Sequence, residues 1–160
     1  MNNGPDYGSG HLLKNGSFYL KVEVRYMTGQ EFERYFCEWL KHTGWWALNI
    51  PRASGGQQPF DVIAVKNGNV LAVDCKVVGV GSRLLPLNRI EDNQWLAFWS
   101  LRKRSEQAVI GVAVWHEKDH RMYFVDYSEL VAATKAKQSS IPLVNKEASR
   151  IELLCKATLV

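Results

Sequence analysis

Residues 59–76 read PFDVIAVKNGNVLAVDCK, two largely apolar segments on either side of Asn67 and Gly68. An Asn-Gly pair favours the two-residue type I′ turn of a β-hairpin, because both central residues must adopt positive φ angles. Counting outwards from this turn places Asp61 opposite Asp74, where paired side chains lie roughly 4.5–5.5 Å apart at Cβ. The sequence therefore predicts a hairpin that brings two carboxylates together at its open end.

The predicted open end of the hairpin carries more charge than a structural role explains. Strand alternation places Lys76 on the same face as Asp74, with Cys75 on the opposite face. Facing carboxylates repel each other, and the simplest interpretation is that they lie in solvent with Lys76 as their counter-ion. The rest of both strands is apolar on both faces, however, and such strands are covered on both sides. Buried charges cost free energy, so a site that uses them, such as one for a divalent cation, is favoured.

A helix is predicted ahead of the hairpin. Thr28 and Glu31 form a capping-box pattern, so we expect a helix from there to about His42 that ends at Gly44. Its predicted buried stripe consists of Phe32, Tyr35, Phe36, Trp39 and Leu40. Glu33 lies at the edge of that stripe in the first turn, where a solvated glutamate favoured by the helix dipole is the simple alternative to a functional role.

Two motifs resemble those of a known nuclease family. The Pro-Phe-Asp that ends at Asp61 and the Asp-Cys-Lys that starts at Asp74 resemble the PD-(D/E)xK nuclease core. Residues 29–34, Gly-x-x-x-Glu-Arg, resemble the first-helix motif of archaeal-type Holliday junction resolvases. The resemblance implies an α/β fold with a restriction-endonuclease-like core, a mixed central β-sheet flanked by helices. It also implies that Glu33 is an active-site acid and that Arg34 contacts phosphate or forms a structural ion pair. Asp74 stands where these resolvases usually have Glu, a replacement that the wider superfamily accepts.

The segment 51–58, which precedes the hairpin, is polar and contains glycine. It can be read as a simple connection, but its arginine, serine and glycines also suit contact with phosphate. The run from Arg52 to Gly55 is similar to an Arg-x-x-Ser-Gly-like segment of the same resolvases. The resemblance implies that Ser54 approaches the scissile backbone.

A second helix is predicted after the hairpin. Residues 88–91, Asn-Arg-Ile-Glu, form another capping-box pattern, and the helix should run to about Arg104. Resolvases of this type often carry His-Gln near its start, where Asn93-Gln94 stands here, which implies an accessory role for Gln94 toward the metal or the water. A surface or interface glutamine is the alternative that stays open. The apolar members expected to pack on the sheet are Trp95, Phe98, Trp99 and Leu101.

Positive charge follows the second motif strand and closes the second helix. Arg83 stands at the end of a glycine-rich segment, and Arg102, Lys103 and Arg104 follow one another. Cations at a helix C-terminus are favoured by the helix dipole, and tracking of a DNA arm is the functional alternative. The expected DNA-binding residues are Arg34, Arg52, Ser54, Arg83, Arg102, Lys103 and Arg104.

Composition and charge restrict the class of protein. The chain has 160 residues, of which 46% are hydrophobic, a length and composition typical of one globular domain. Its net charge of +4 and pI of about 9.0 suit a polyanionic partner. Cys37, Cys75 and Cys155 have no zinc-site spacing and favour reduced thiols in a cytoplasmic protein. No signal-peptide pattern or long apolar run is present, so neither secretion nor a membrane span is expected.

The domain prediction divides the chain once. We expect residues 1–27 to form an arm with a possible strand over residues 18–26, and residues 28–160 to form a single nuclease domain. The other predicted elements are strands over residues 45–50, 109–115, 122–125 and 151–154, and a helix from the Asp126 cap to about Lys137.

The combined prediction is a metal-dependent endonuclease of branched DNA. The expected ligands of Mg²⁺, for which Mn²⁺ should substitute, are Glu33, Asp61, Asp74 and the backbone carbonyl of Cys75. Lys76 would orient the attacking water or neutralise developing charge. The resemblance implies a four-way DNA junction as substrate, paired symmetric nicks and a homodimer, with no small-molecule cofactor. Two alternatives stay open: a nuclease of duplex or other branched DNA in repair, replication or restriction, and a junction-binding module without catalysis.

Overall fold

The computed structural model of the chain describes residues 11–12, 18–19, 26–52, 58–81 and 83–157. Its strands are β1 His11–Leu12, β2 Phe18–Tyr19, β3 Trp46–Asn49, β4 Val62–Lys66, β5 Asn69–Val78, β6 Leu84–Pro86, β7 Val109–His116, β8 Arg121–Asp126 and β9 Ser140–Pro142. Its helices are α1 Gly29–His42, α2 Asp92–Arg104, α3 Tyr127–Lys135 and α4 Ile151–Ala157, with 3₁₀ turns at Leu87–Arg89 and Ala148–Arg150. In the described ranges no helix is both long enough and apolar enough to span a membrane.

The five central strands form one mixed sheet in the order β3-β4-β5-β7-β8. β5 and β7 run parallel, and the other neighbours are antiparallel. A parallel pair needs a crossover connection, and α2 lies within it. The short pair β6 and β9 forms a separate small sheet, as does β1 with β2. Of the strand predicted over residues 18–26, Phe18–Tyr19 forms β2, residues 20–25 lie outside the described residues, and Tyr26 is not in a strand.

Each face of the central sheet carries a hydrophobic core. On one face α1 contributes Phe32 and Leu40, and α4 contributes Ile151. On the other face Phe98 of α2 and Leu130 of α3 pack over the sheet. Every residue of β7 is buried, as expected for a strand covered on both sides. The predicted α/β fold with a mixed sheet between helices is confirmed.

Helix α1 begins and ends where the sequence predicts. The Thr28 hydroxyl accepts the Glu31 N–H at 3.2 Å, and the Glu31 carboxylate accepts the Thr28 N–H at 2.8 Å, which is a capping box. The helix stops at His42, and Gly44 adopts a φ of 90°, which favours glycine. Glu33 is only 5% exposed, so the interpretation of it as a solvated glutamate is wrong.

The hairpin joins β4 and β5 through the predicted Asn-Gly turn, whose φ angles of 50° and 78° fit type I′. Its ladder ends at the Val62–Val73 pair. Beyond that pair Asp61 donates its backbone N–H to the Val73 carbonyl at 2.9 Å, one residue out of register. The prediction that Asp61 lies directly opposite Asp74 is wrong in detail, because this backbone hydrogen bond departs from the register of the ladder; the Asp61 carboxylate accepts the backbone N–H of Cys75.

Helix α2 begins later than predicted. Its N-cap is Glu91 rather than Asn88, and the Gln94 side chain reaches back to accept the Glu91 N–H at 2.9 Å. The expected cap at Asn88 instead lies in a 3₁₀ turn that ends at Arg89. This shift makes Gln94 the third residue of the helix, which fixes its side chain at the helix N-terminus.

Two predictions about apolar residues are wrong. Trp99 is 48% exposed rather than packed on the sheet, because Phe98, one residue earlier on the helix, takes the buried position. Residues 151–154 are helical rather than a strand. Ile151 and Cys155 stand four residues apart and both enter the core beneath α1, which is the spacing of a helix face.

Candidate active site

A cleft of about 470 Å³ lies where β5 meets the first turns of α1 and α2. Its lining includes Glu33, Gln58, Asp61, Asp74, Lys76 and Gln94. Of the predicted catalytic residues, only Ser54 is missing from this group, and it lies outside the described residues. A larger open groove of about 670 Å³ beside β6 and β9 has no charged residue among the described residues that line it. The acidic cleft is therefore the candidate site.

Asp74 and Lys76 form a buried ion pair that Gln94 braces. Lys76 Nζ lies 2.9 Å from Asp74 Oδ2. Gln94 Oε1 accepts from Lys76 Nζ at 3.3 Å and from the Glu91 backbone N–H at 2.9 Å. Because both of these partners are donors, the amide nitrogen of Gln94 faces Asp74 and donates to its Oδ1. The first turn of α2 thus fixes both members of the ion pair.

The environment of Asp74 favours its neutral form. Burial raises the pKa of Asp74, the nearby charge of Asp61 raises it further, and the Lys76 ammonium opposes both, which leaves the pKa at about 7. A carboxyl group in this state exchanges its proton readily for another positive charge. Such perturbed acids in a cleft are typical of functional sites.

Both carboxylate oxygens of Asp61 are held by hydrogen bonds. Asp61 Oδ2 accepts the Cys75 backbone N–H at 2.7 Å. Asp61 Oδ1 accepts from Gln58 Nε2, also at 2.7 Å. The orientation of Asp61 is therefore set by β5 on one side and by the segment before β4 on the other.

Glu33 enters the cleft from the first turns of α1. Arg52 Nη2 lies 3.0 Å from Glu33 Oε1, and the Arg52 side chain is 61% exposed. Burial raises the pKa of Glu33, and the charge of Asp61 acts in the same direction, against Arg52 and Lys76. Glu33, Asp61 and Asp74 thus lie close together in a partly buried cleft, where a bound positive charge would stabilise their ionised forms.

The donor set fits a hard divalent cation. Asp74 Oδ2 is buried and accepts no well-angled hydrogen bond from the described residues, although Lys76 Nζ lies close to it. Within the same described residues, no group of three or more His, Cys, Asp or Glu side chains is arranged so that it could hold a metal ion on its own. Mg²⁺ does not require one, since it is commonly bound through one or two carboxylates with waters and substrate phosphate. The cleft therefore matches an ion that keeps part of its water shell.

Two of the predicted DNA-binding arginines lie away from the cleft. Arg34 is exposed on α1, where its Nε donates to the Gln30 carbonyl at 3.4 Å. Arg83 Nε lies 2.7 Å from Asp119 Oδ2. Neither is among the described residues that line the cleft, whereas Arg52 is.

The C-terminal end of α2 carries the other predicted DNA-binding residues. Arg102 and Arg104 donate to backbone carbonyls at this end of the helix, where cations are favoured by the helix dipole. Lys103 Nζ stands 4.3 Å from the ring centroid of Trp99, a cation–π contact on the helix surface. These charges form a basic surface that does not line the acidic cleft.

Sequence analysis missed Gln58 and Arg89, both of which line the cleft. Gln58 stands three residues before Asp61 and contacts it across a bend, a spacing that resembles any loop in the sequence. Arg89 donates to the Val77 carbonyl at the edge of β5. No motif marks either residue, because both contacts depend on how the chain enters and leaves the hairpin.

The fold and the cleft together define the class of protein. Asp61, Asp74 and Lys76 lie at the end of a hairpin within a mixed sheet, and Glu33 reaches them from a helix, an arrangement that resembles the PD-(D/E)xK nuclease core. The family model described as archaeal Holliday junction resolvase (Hjc) matches residues 24–152, and the chain belongs to this family. It is accordingly an endodeoxyribonuclease of DNA recombination and repair that acts on Holliday junctions. Resolvases of this family are metal-dependent.

A solved structure gives the same fold. The Hjc of Archaeoglobus fulgidus, described as a Holliday junction resolvase from an archaeal hyperthermophile, matches with a TM-score of 0.54 and 16% sequence identity. The match covers 81% of this chain and 99% of that chain. At this identity the likeness shows the fold alone. A comparison with curated proteins finds no match.

Proposed function

We propose that residues 28–160 form a single Mg²⁺-dependent nuclease domain that cuts four-way junctions by paired symmetric nicks. The observation that carries this proposal is the joint placement of Glu33, Asp61, Asp74 and Lys76 in one cleft. Family membership supports the branched substrate, and the clustered acids support the cation. Mn²⁺ is the expected substitute, because it accepts the same oxygen ligands.

The proposed ligands are Glu33, Asp61, Asp74 and the backbone carbonyl of Cys75. A bound Mg²⁺ supplies an acidified water as nucleophile and positive charge against the scissile phosphate. The raised pKa of Asp74 favours binding of the cation, because the cation takes the place of the proton that the buried carboxylate otherwise retains. Asp61 favours binding of the cation because two hydrogen bonds already hold its carboxylate in one orientation.

Lys76 is the proposed catalytic cation. Its Nζ is held between Asp74 Oδ2 and Gln94 Oε1, at 2.9 Å and 3.3 Å. An ammonium held in this way either orients the attacking water or neutralises charge that develops on the phosphate. Gln94 is proposed to serve it by fixing its position, through the contact of Gln94 Oε1 with Lys76 Nζ.

Arg52 is the proposed phosphate contact at the mouth of the cleft. Its guanidinium is largely exposed and pairs with Glu33. The exposed guanidinium can turn toward a phosphate, and a cation bound beside Glu33 would then replace Arg52 as the partner of that buried carboxylate. Ser54 is proposed to approach the scissile backbone from the same segment. Arg34, Arg83 and the basic end of α2 are proposed to contact the junction arms.

A homodimer is part of the proposal. Paired cuts on two strands need two active sites, one from each subunit. Exposed apolar side chains support such an interface: on α2, Leu96 is 64% and Trp99 is 48% exposed, and on β3, Trp46 is 63% exposed. A cytoplasmic location is proposed as well, and the buried free thiols of all three cysteines support it.

A cleavage assay tests the proposed function. A synthetic four-way junction is compared with a linear duplex of the same arm sequences in Mg²⁺, with the Asp74→Asn variant as control. We expect paired symmetric nicks on the junction only, and their loss in the variant. Equal cutting of the duplex would assign the chain to another nuclease substrate class. Tight junction binding without any metal-dependent cutting would identify a binding module instead.

A further inference from the structure

The side-chain amide of Gln58, in the cleft, has a hydrogen-bond partner for its nitrogen and none among the described residues for its oxygen. Its Nε2 donates to Asp61 Oδ1 at 2.7 Å. Its Oε1 is buried, and no donor among the described residues reaches it. A buried amide oxygen without a donor costs roughly 1–3 kcal/mol, so a partner outside the described protein groups would relieve that cost.

Gln58 and Gln94 differ in the hydrogen-bond partners of their side-chain carbonyl oxygens. Each glutamine donates its amide N–H to Oδ1 of an aspartate, Gln94 to Asp74 and Gln58 to Asp61. The carbonyl oxygen of Gln94 is satisfied by two protein donors, Lys76 and the Glu91 backbone. The carbonyl oxygen of Gln58 has no such donor in the described part of the chain. Gln94 is therefore fixed by protein alone, whereas Gln58, which also lines the cleft, has one buried acceptor that no described protein group satisfies.

We propose that Gln58 is a positioning residue for the metal-dependent reaction. Its N–H orients Asp61, and its Oε1 accepts a hydrogen bond from a water carried by the divalent cation. The inference rests on the proposed function, because it requires that Asp61 takes part in binding the cation. Waters on such an ion are strong donors, and the ion retains several of them when few carboxylates bind it. Outer hydrogen bonds of this kind orient the ligands and tune metal affinity.

The chemistry of the side chain supports this role. Glutamine offers a donor to an ionised carboxylate and an acceptor to a water, and it adds no charge. The cleft is already lined by Glu33, Asp61, Asp74 and Glu91, and a further carboxylate at position 58 would add repulsion. A neutral amide therefore braces Asp61 without a further electrostatic penalty.

The affinity of the full chain for Mn²⁺, measured by calorimetric titration without DNA, tests the inference. We expect Gln58→Met, which keeps the size but removes both polar groups, to weaken Mn²⁺ binding by roughly 10–100-fold. The midpoint of thermal unfolding in EDTA should stay close to that of the wild type. Gln107→Met is the matched control, because Gln107 is exposed in a turn outside the cleft. Gln58→Ala provides the same deletion without added volume should the methionine variant misfold.

The Mn²⁺ titration and the unfolding midpoint together distinguish a failure of the Gln58 role from a failure of the metal site. Wild-type affinity in both Gln58 variants, with binding lost in Asp74→Asn, would overturn the role of Gln58 and leave the metal site intact. A lower unfolding midpoint in EDTA with unchanged Mn²⁺ affinity would reduce Gln58 to a structural residue. Failure of the wild-type chain to bind Mn²⁺ and to cut junctions would overturn both proposals together.

Discussion

Two aspartates in this chain each lie beside a cation, yet their environments act in opposite directions. Asp74 lies in the cleft against Lys76, and its pKa is raised to about 7. Asp119 lies in the turn between β7 and β8 against Arg83. Burial also acts to raise the pKa of Asp119, but the Tyr123 hydroxyl, His116 and Arg83 outweigh it and lower that pKa.

The difference lies in what each carboxylate receives from its neighbours. Asp119 Oδ2 accepts from the Tyr123 hydroxyl at 2.9 Å and meets Arg83 at 2.7 Å, so its ionised form is well satisfied. Asp74 Oδ2 is buried without a well-angled hydrogen bond from the described residues, and Asp61 adds a second negative charge nearby. Asp119 stabilises a turn, whereas the ionised form of Asp74 would be stabilised by an additional cation.

Replacement of Lys76 should give the largest effect. We expect Lys76→Ala to lower the rate of junction cleavage by about 10³-fold, as for loss of one preorganised group at developing charge. Junction affinity, measured by gel shift without divalent metal, should change little, because the Lys76 side chain is only 14% exposed and is paired with Asp74. Lys118→Ala, at an exposed turn, is the control. Equal loss of binding and cleavage in Lys76→Ala would contradict the catalytic assignment.

The two aspartates should differ in the sign of their effect on stability. In EDTA at about pH 8, we expect Asp74→Asn to raise the free energy of unfolding by roughly 2–4 kcal/mol, because its ionised form is penalised in the folded state. Asp119→Asn should lower that free energy by about 1–3 kcal/mol, because Tyr123 and Arg83 lose a charged partner. Urea unfolding of both variants measures these changes.

The pH dependence of stability checks the same comparison. A folded-state pKa above the unfolded value means that wild-type stability falls as pH rises from about 4 to about 7, so the advantage of Asp74→Asn should shrink toward pH 5. The lowered pKa of Asp119 gives a contribution that is present above the unfolded value and is lost as pH falls through the folded value. Stabilities that shift in parallel for both variants would contradict the distinction.

The rate of cleavage should also depend on whether Asp74 is protonated. Because the ionised carboxylate is the proposed ligand, the rate at low Mg²⁺ should fall about tenfold for each pH unit below about 7. Raising the Mg²⁺ concentration should move this midpoint to lower pH, because the cation competes with the proton. A midpoint that does not respond to Mg²⁺ would assign the titration to another group.

Arg83 should give the smallest effect. Its side chain is 56% exposed, and its guanidinium is paired with Asp119 in the turn between β7 and β8. We expect Arg83→Gln to reduce junction affinity less than Arg52→Gln does, because Arg52 lines the cleft and Arg83 is tied to Asp119. Fluorescence anisotropy with a labelled junction compares the two variants. A larger loss for Arg83→Gln would place the main DNA contact beside Asp119.

Local signals in the sequence predicted the elements that position the site. The Asn67-Gly68 turn and the Thr28 cap depend on residues within four positions of each other, and both are found in the structure. The predicted start of α2 is wrong because Asn88 is a favoured N-cap residue and Glu91 is not, yet the folded backbone begins the helix after Glu91. The helical segment from Ile151 was read as a strand because a short apolar run fits either structure.

Contacts between distant segments could not be read from the sequence. The Gln94 contact with Asp74 joins residues 20 positions apart, and the Arg52 contact with Glu33 joins residues 19 positions apart. Periodicity marks Trp99 and Phe98 equally as apolar, yet only Phe98 faces the sheet. These details depend on how the helices pack on the sheet, which no local pattern contains.

The division of the site among α1, the hairpin and α2 links its completion to folding. The hairpin carries Asp61 and Asp74, but an isolated two-stranded hairpin is marginally stable in water. Gln94 contacts Asp74 and Lys76 only when α2 is docked on the sheet. The order of the site is therefore coupled to the packing of a helix that lies 20 positions further along the chain.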